Sequence, residues 1–224
     1  VDITDYRETD MCRLRGRQFS MIFQDPMTSL NPAMTVGAQI GEAVKIHRPR
    51  ISRKDLRKRT AELMELTGLR GAADRMGLYP HQFSGGQRQR IVIAIALAGN
   101  PEILFADEPT TALDVTVQAQ ILSLLKEIQR KLGMSMVLVS HDVHVVEKMA
   151  DRVALIREGR LTEQDLAKPY AVGTGTADRR HVLLKTAGSL RLDDREDKGE
   201  KSEVLLEVEH LTRTYALNKK RAVR

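Results

Sequence analysis

The chain has 224 residues, 42% of them apolar and 29% charged, with a formal net charge of +6, enough apolar material for one large globular domain or two modest ones. Aromatic residues make up 4% and Trp is absent, which counts against a base-stacking platform for single-stranded nucleic acid. Cys12 is the only cysteine, which excludes a disulfide framework or a cysteine-based metal site and fits a reducing, cytoplasmic setting. No apolar run approaches the ~18–20 residues of a membrane span and no signal peptide is visible, so work at a membrane would go through a partner. The opening on Val1 and the ending "NKKRAVR" read as those of a fragment.

In chain order, "FSMIF" (19–23) is a short apolar run that predicts a buried strand, closed by "QDP". From 33 to about 69 the spacing becomes helical. Val36, Ile40 and Val44 share one stripe, Leu56, Leu63, Leu66 and Leu69 another, and Gly68 and Gly71 punctuate the end. The basic runs "RKDLRKR" (53–59) and "NKKR" (218–221) read first as solvated helix face or loop. Attraction to an anionic membrane surface or to nucleic acid is the alternative. "HQFSGGQ" predicts a turn with Ser84 as helix cap, and "QRQRIVIAIALA" continues as helix until Gly99 and Pro101.

"EILFADEP" (102–109) reads as a fully buried strand whose polar residues begin only at its carboxyl end. A helix follows with Val117, Ile121, Leu125, Ile128 and Leu132 on one face and Gly133 as its C-cap. "MSMVLVSHD" (134–142) repeats the strand pattern, and "DRVALIREGRLTE" (151–163) predicts two strands around a Glu158-Gly159 turn. This order predicts an α/β fold, a parallel sheet covered by helices, with ligands at the carboxyl ends of the strands. Asp107, Glu108 and His141 all fall at that edge. Beyond Gln164 the pattern weakens, and the charged stretch 185–203 reads as linker. "VLLEVEHLTRTY" (204–215) then alternates as a strand does and reads as the beginning of something new.

Several residues at these positions have chemistry to offer. Neighbouring carboxylates in extended chain point in different directions, so Asp107 can hold a hydrated Mg²⁺ against phosphate while Glu108 orients or deprotonates a water. The competing reading of the pair is an acidic helix start. His141 can donate to a terminal phosphate or to the attacking water, and Gln24 can touch metal or water through its amide; either can equally be structural. Ser84, Gly85 and Gly86 place backbone N–H groups at a helix start, where the dipole favours anions, although a plain helix-opening turn uses the same residues. His47, His81, His144, His181 and His210 form no constellation.

Taken jointly, "MIFQDPMTSLNP", "SGGQRQR", "ILFADEP", "TALD" and "LVSHD" closely resemble the nucleotide-binding domain of ABC transporters over residues 13 to about 163. "IFQDPMTSLNP" is similar to the ATPases of dipeptide and oligopeptide importers. The resemblance implies Gln24 as the Q-loop residue and Ser84, Gly85, Gly86 and Gln87 as the signature. It also implies Asp107 as the Walker B carboxylate on Mg²⁺, Glu108 as catalytic base, Asp114 as the D-loop residue and His141 as the switch histidine. Phe83 stands where the family more often has Leu. Two such domains pack head to tail, each signature closing over the ATP of the other, so "SGGQ" needs no nucleotide of its own chain.

No G-x-x-x-x-G-K-[ST] loop occurs in the chain, and the resemblance places that Walker A loop ahead of Val1. The implied layout is an ABC ATPase domain over 1–165 without its Walker A portion, with 33–98 as a helical subdomain carrying the signature. A linker or extension follows over 166–203. The start of a second ABC domain occupies 204–224, with Tyr215 near an adenine-stacking position. The stretch after Pro169-Tyr170 departs from the importer pattern and leaves the solute open. The implied ligands are ATP and Mg²⁺. The implied partners are a second ABC ATPase domain, membrane permease subunits and a solute-binding protein, with no nucleic acid, at the cytoplasmic face of the membrane. The rivals are a non-catalytic interaction module of this fold and a non-transport ABC ATPase acting on DNA or ribosomes. The second usually carries coiled-coil or zinc insertions, and none is visible.

Overall fold

A computed structural model describes residues 3–157, 160–164 and 180–185. Helix α1 (Glu8–Leu14) leads into β1 (Phe19–Ile22), and Pro26 opens the single turn of α2 (Pro26–Ser29). The helical spacing predicted from 33 to about 69 folds as two helices, α3 (Val36–His47) and α4 (Arg53–Leu66), packed on each other. Pro49 is the reason for the break: its ring cannot continue the ladder and biases the preceding residue away from helix. Thr35 caps α3 by accepting from Ala38 N–H, and Ser52 caps α4 by accepting from Asp55 N–H. The one-turn α5 (Ala72–Arg75) and a 3₁₀ turn at Pro80–Gln82 then deliver the chain to α6 (Gly85–Ala96).

The βαβ part follows as the spacing predicts, except for a short helix after the 134–142 strand that the spacing does not show. It consists of β2 (Ile103–Asp107), α7 (Val115–Leu132), β3 (Ser135–Ser140), α8 (Val143–Met149), β4 (Arg152–Arg157) and β5 (Arg160–Gln164). Gly133 ends α7 at φ 65°, the left-handed cap expected of it. A further strand, β6 (Arg180–Lys185), lies in the stretch that reads as linker in the sequence.

The six strands are ordered β1-β2-β3-β6-β4-β5. β1, β2 and β3 are parallel, with Ile22 opposite Ala106 and Asp107 opposite Val139. β6 runs antiparallel to both β3 and β4, and β5 antiparallel to β4. The sheet is therefore mixed: its first three strands meet the parallel expectation, and β5 and β6 do not. The proposed domain opening at 204–224 and the Glu158-Gly159 turn lie outside the described residues.

Ile22, Ile40, Leu63, Ile93, Leu104 and Leu125 are completely buried in one continuous core that joins sheet and helices. Each such side chain contributes roughly 1.5–3 kcal/mol. That core fixes the carboxyl edge of β1, β2 and β3 as a rigid shelf. At the opposite edge, Arg17 donates to the carbonyl of His47 at 3.1 Å. Burial, with the Arg17 charge beside it, pushes the His47 imidazole below its usual range, so it stays neutral at pH 7.

Candidate active site

Glu108 is the residue on which the shelf converges. Its N–H donates to Val139 carbonyl at 3.0 Å, carrying the β2–β3 ladder one step past Asp107. Its backbone then turns left-handed, at φ 44°, a conformation that costs a non-glycine residue roughly 1–2 kcal/mol. Such strain persists only where the surroundings hold it, and three side chains meet the Glu108 carboxylate. Gln24 donates its amide to Glu108 Oε2 at 2.9 Å, and the Thr111 hydroxyl donates to the same oxygen at 3.0 Å. His141 Nδ1 lies 3.1 Å from Oε1. The Glu108 side chain is only 13% exposed, whereas that of His141 is 66% exposed. One carboxylate oxygen is thus held from inside the protein, and the other faces a group open to solvent.

Asp107, the last residue of β2, is half-buried and meets no protein hydrogen-bond donor among the described residues. The acidic pair does not serve as a helix start, because α7 is capped by Asp114, which accepts from Val117 N–H at 2.9 Å. Among the described residues no group of three or more potential ligands forms a metal cage. A single free carboxylate is nonetheless the donor set that suits Mg²⁺ carried in with phosphate, since that ion keeps several waters and needs only one or two protein oxygens.

Ser84 and Gln87 cap α6 reciprocally. Ser84 Oγ accepts from Gln87 N–H at 3.4 Å, and Gln87 Oε1 accepts from Ser84 N–H at 3.2 Å. The N–H groups of Gly85 and Gly86, in the first turn, have no acceptor within the helix. A Cβ on Gly86 would come 2.4 Å from Val117 Cγ1, whereas one on Gly85 would lie 3.5 Å from Leu113 Cδ2. The Ser84–Gln87 turn therefore abuts the start of α7, next to Leu113 and Val117. Gln24, Glu108 and His141 come together as expected, with Asp107 adjacent. Ser84, Gly85, Gly86, Gln87 and Asp114 form a second group, and no hydrogen bond among the described residues joins the two.

Sequence reasoning missed two residues. Thr111 betrays itself only as a hydroxyl three positions after Glu108. Arg75 gives no signal at all. Its guanidinium donates to Gln87 Oε1 at 3.1 Å and lies 4.7 Å from the centre of the Phe83 ring, so one cation steadies both the residue before the turn and the one that closes it. Arg75→Met keeps the apolar contact but loses donor and charge. It is expected to lower stability by about 1–2 kcal/mol and to speed exchange of the Ser84 amide. Unchanged melting and unchanged exchange would dismiss Arg75 from this role.

An α/β sheet with adjacent carboxylates just past a central parallel strand belongs to the class of folds that place ligands at the carboxyl edge of the sheet. Comparison with known proteins carries the assignment further. The ABC transporter family matches residues 1–111. The dipeptide transport ATP-binding protein DppD of Bacillus subtilis is 54% identical over 166 residues, covering 70% of this chain and 49% of that protein. The oligopeptide transport ATP-binding protein OppD of the same organism is 50% identical over 177 residues, 79% of this chain and 46% of that protein. Among solved structures, the ATP-binding cassette MJ0796, in a dimeric post-hydrolysis state with ADP and Pi, superposes with a TM-score of 0.62 at 30% identity, over 73% of this chain and 70% of that one. The chain belongs to the ABC transporter family of ATP-binding cassettes. It spans about half the length of the curated relatives it matches.

Proposed function

We propose that this chain is the greater part of a cassette that binds and hydrolyses Mg·ATP to drive import of peptides or related small solutes. The observation that carries the reading is the convergence of Gln24, Thr111 and His141 on Glu108, a carboxylate on left-handed backbone directly after Asp107. Asp107 would hold the Mg²⁺ that accompanies ATP, and the ion would neutralise charge developing on the phosphates. Gln24 and Thr111 fix Glu108 Oε2, leaving Oε1 as the oxygen that takes a proton from an entering water. His141, exposed beside Oε1, can orient that water or donate toward the phosphate. Ser84 to Gln87, with the N–H groups of Gly85 and Gly86 free, would meet a phosphate held by a second cassette.

The setting follows from the same reading: a dimer of cassettes on permease subunits at the cytoplasmic face of the membrane, fed by a solute-binding protein. Relatives named for dipeptide and oligopeptide transport support the choice of solute class. Among the described residues no helix is long and apolar enough to cross a membrane, consistent with attachment through partners. A second reading, a non-catalytic module of this fold, is favoured by the lack of a G-x-x-x-x-G-K-[ST] loop in the 224 residues.

Titration of the chain with Mg·ATP separates what it does alone from what it does when completed. Without the lysine and the nest of N–H groups that hold the β- and γ-phosphates, it should show no micromolar binding. A chimera that supplies a relative's phosphate-loop segment ahead of residue 3 should bind and hydrolyse ATP. Tight binding by the chain alone would overturn the need for that loop, and a chimera that binds without turnover would replace this reading with the second.

A further inference from the structure

The net charge of the chain is not spread over its surface. Residues 45–59 hold eight lysines and arginines against Asp55 alone, so this segment is +7 in a chain of +6 and the remainder is −1. The segment is the tip where α3 hands over to α4. Lys45, Arg48, Arg50, Arg53, Lys54 and Lys58 are all exposed there, and none forms an ion pair among the described residues. Lys54 and Lys58 stand one turn apart on the solvent face of α4, where like charges repel, so the arrangement opposes helix stability.

The tip also stands away from the nucleotide edge. Arg17 holds the His47 carbonyl, and Arg59 donates to Asn100 Oδ1 at 3.0 Å; both anchors lie just before the amino ends of β1 and β2, whereas Gln24 and Glu108 lie beyond the carboxyl ends. These cations therefore do not serve the phosphates of the active site. Between them, Ile46 is 68% exposed in the last turn of α3. Arg48, Pro49, Arg50, Ile51 and Asp55 line a surface cavity of about 550 Å³. The Asp55 carboxylate in that cavity accepts from Ser52 at 2.6 Å.

We infer that the α3–α4 tip is a docking surface for an anionic lipid bilayer, with the cations on the headgroups and Ile46 at the acyl boundary. Clustered Lys and Arg around an exposed aliphatic side chain is the chemistry of interfacial attachment. Nucleic acid fits less well, because residues 45–59 contain no Phe, Tyr or Trp on which a base could stack, and the one imidazole, His47, is half-buried. The surface does not depend on the nucleotide reading, and its test uses neither ATP nor a second cassette.

The full chain is sedimented with phosphatidylcholine vesicles, with and without about 30% phosphatidylserine. Partitioning should rise at least about tenfold on the anionic vesicles and fall away near 0.5 M salt, roughly where screening shortens to a few ångströms. The triple variant Arg50→Glu/Lys54→Glu/Lys58→Glu should lose that gain while keeping the wild-type circular dichroism and melting temperature. Neutralising Lys219, Lys220 and Arg221 in the other basic run should not. Ile46→Ser, at unchanged charge, should weaken vesicle binding severalfold. Equal partitioning on both vesicle types would overturn the inference, as would full binding by the triple variant, loss of binding on neutralising 219–221, or duplex RNA displacing the vesicles at equal phosphate.

Discussion

Glu108→Gln in the completed chimera should bind ATP as the unaltered protein does and turn it over ~10²–10⁴-fold more slowly, the usual loss on removing a general base. The amide is isosteric but accepts no proton. The hydrogen bonds make the prediction sharper than shape alone. Gln24 and Thr111 both donate to Oε2, and an amide that turns its oxygen to them presents its NH₂ toward His141 and the solvent. The pocket then stays folded and a donor replaces the base. Stalled turnover should leave the ATP-closed pair of cassettes as the dominant species in light scattering. Near-normal turnover would take Glu108 out of the chemistry and leave it a strained but structural residue.

Gly85→Asp should weaken ATP-driven pairing of completed cassettes, by at least about tenfold in dissociation constant, or ~1.4 kcal/mol, with little change in the stability of either one. Gly86 is the less informative site, since any side chain there collides with Val117 of the same chain and a folding defect would mimic a pairing defect. At Gly85 an added Cβ meets Leu113 at an ordinary contact distance. A carboxylate in the first turn of α6 is also favoured by that helix's own dipole, by roughly 0.3–1 kcal/mol. The same charge repels a phosphate brought up by another cassette. If Gly85→Asp leaves ATP-dependent association intact, the glycine turn does no more than open its helix.

What was legible beforehand followed from local chemistry. The Ser84 cap, the Gly133 stop and the polar ends of β2 and β3 are each written within a few residues, and so Glu108, Asp107 and His141 could be placed on one edge from periodicity alone. What escaped depends on contacts between distant segments. Nothing near Glu108 announces its left-handed backbone, or that its carboxylate is met by Gln24, 84 positions away. Arg75 looks like any surface arginine until α5 is seen beside Phe83 and Gln87. The division of the 33–69 helix at Pro49 was readable in principle, but apolar stripes on both sides of the proline hid it. The mixed sheet was not readable at all, since "RHVLLK" carries too short an apolar run to reveal which strands it joins.

That strand has a consequence for how the molecule comes to be made. β3 and β4 are joined by the short α8, yet they are not neighbours; β6 separates them. During synthesis both finish well before residues 180–185 leave the ribosome, so each waits with an open row of peptide groups along one side. The sheet is thus assembled as two pieces, β1-β2-β3 and the β4–β5 pair, closed by a keystone that arrives last. Long-range pairing of this kind is slow, and unpaired edges are templates for foreign strands. The hazardous interval is therefore set by the time between the emergence of β5 and that of β6.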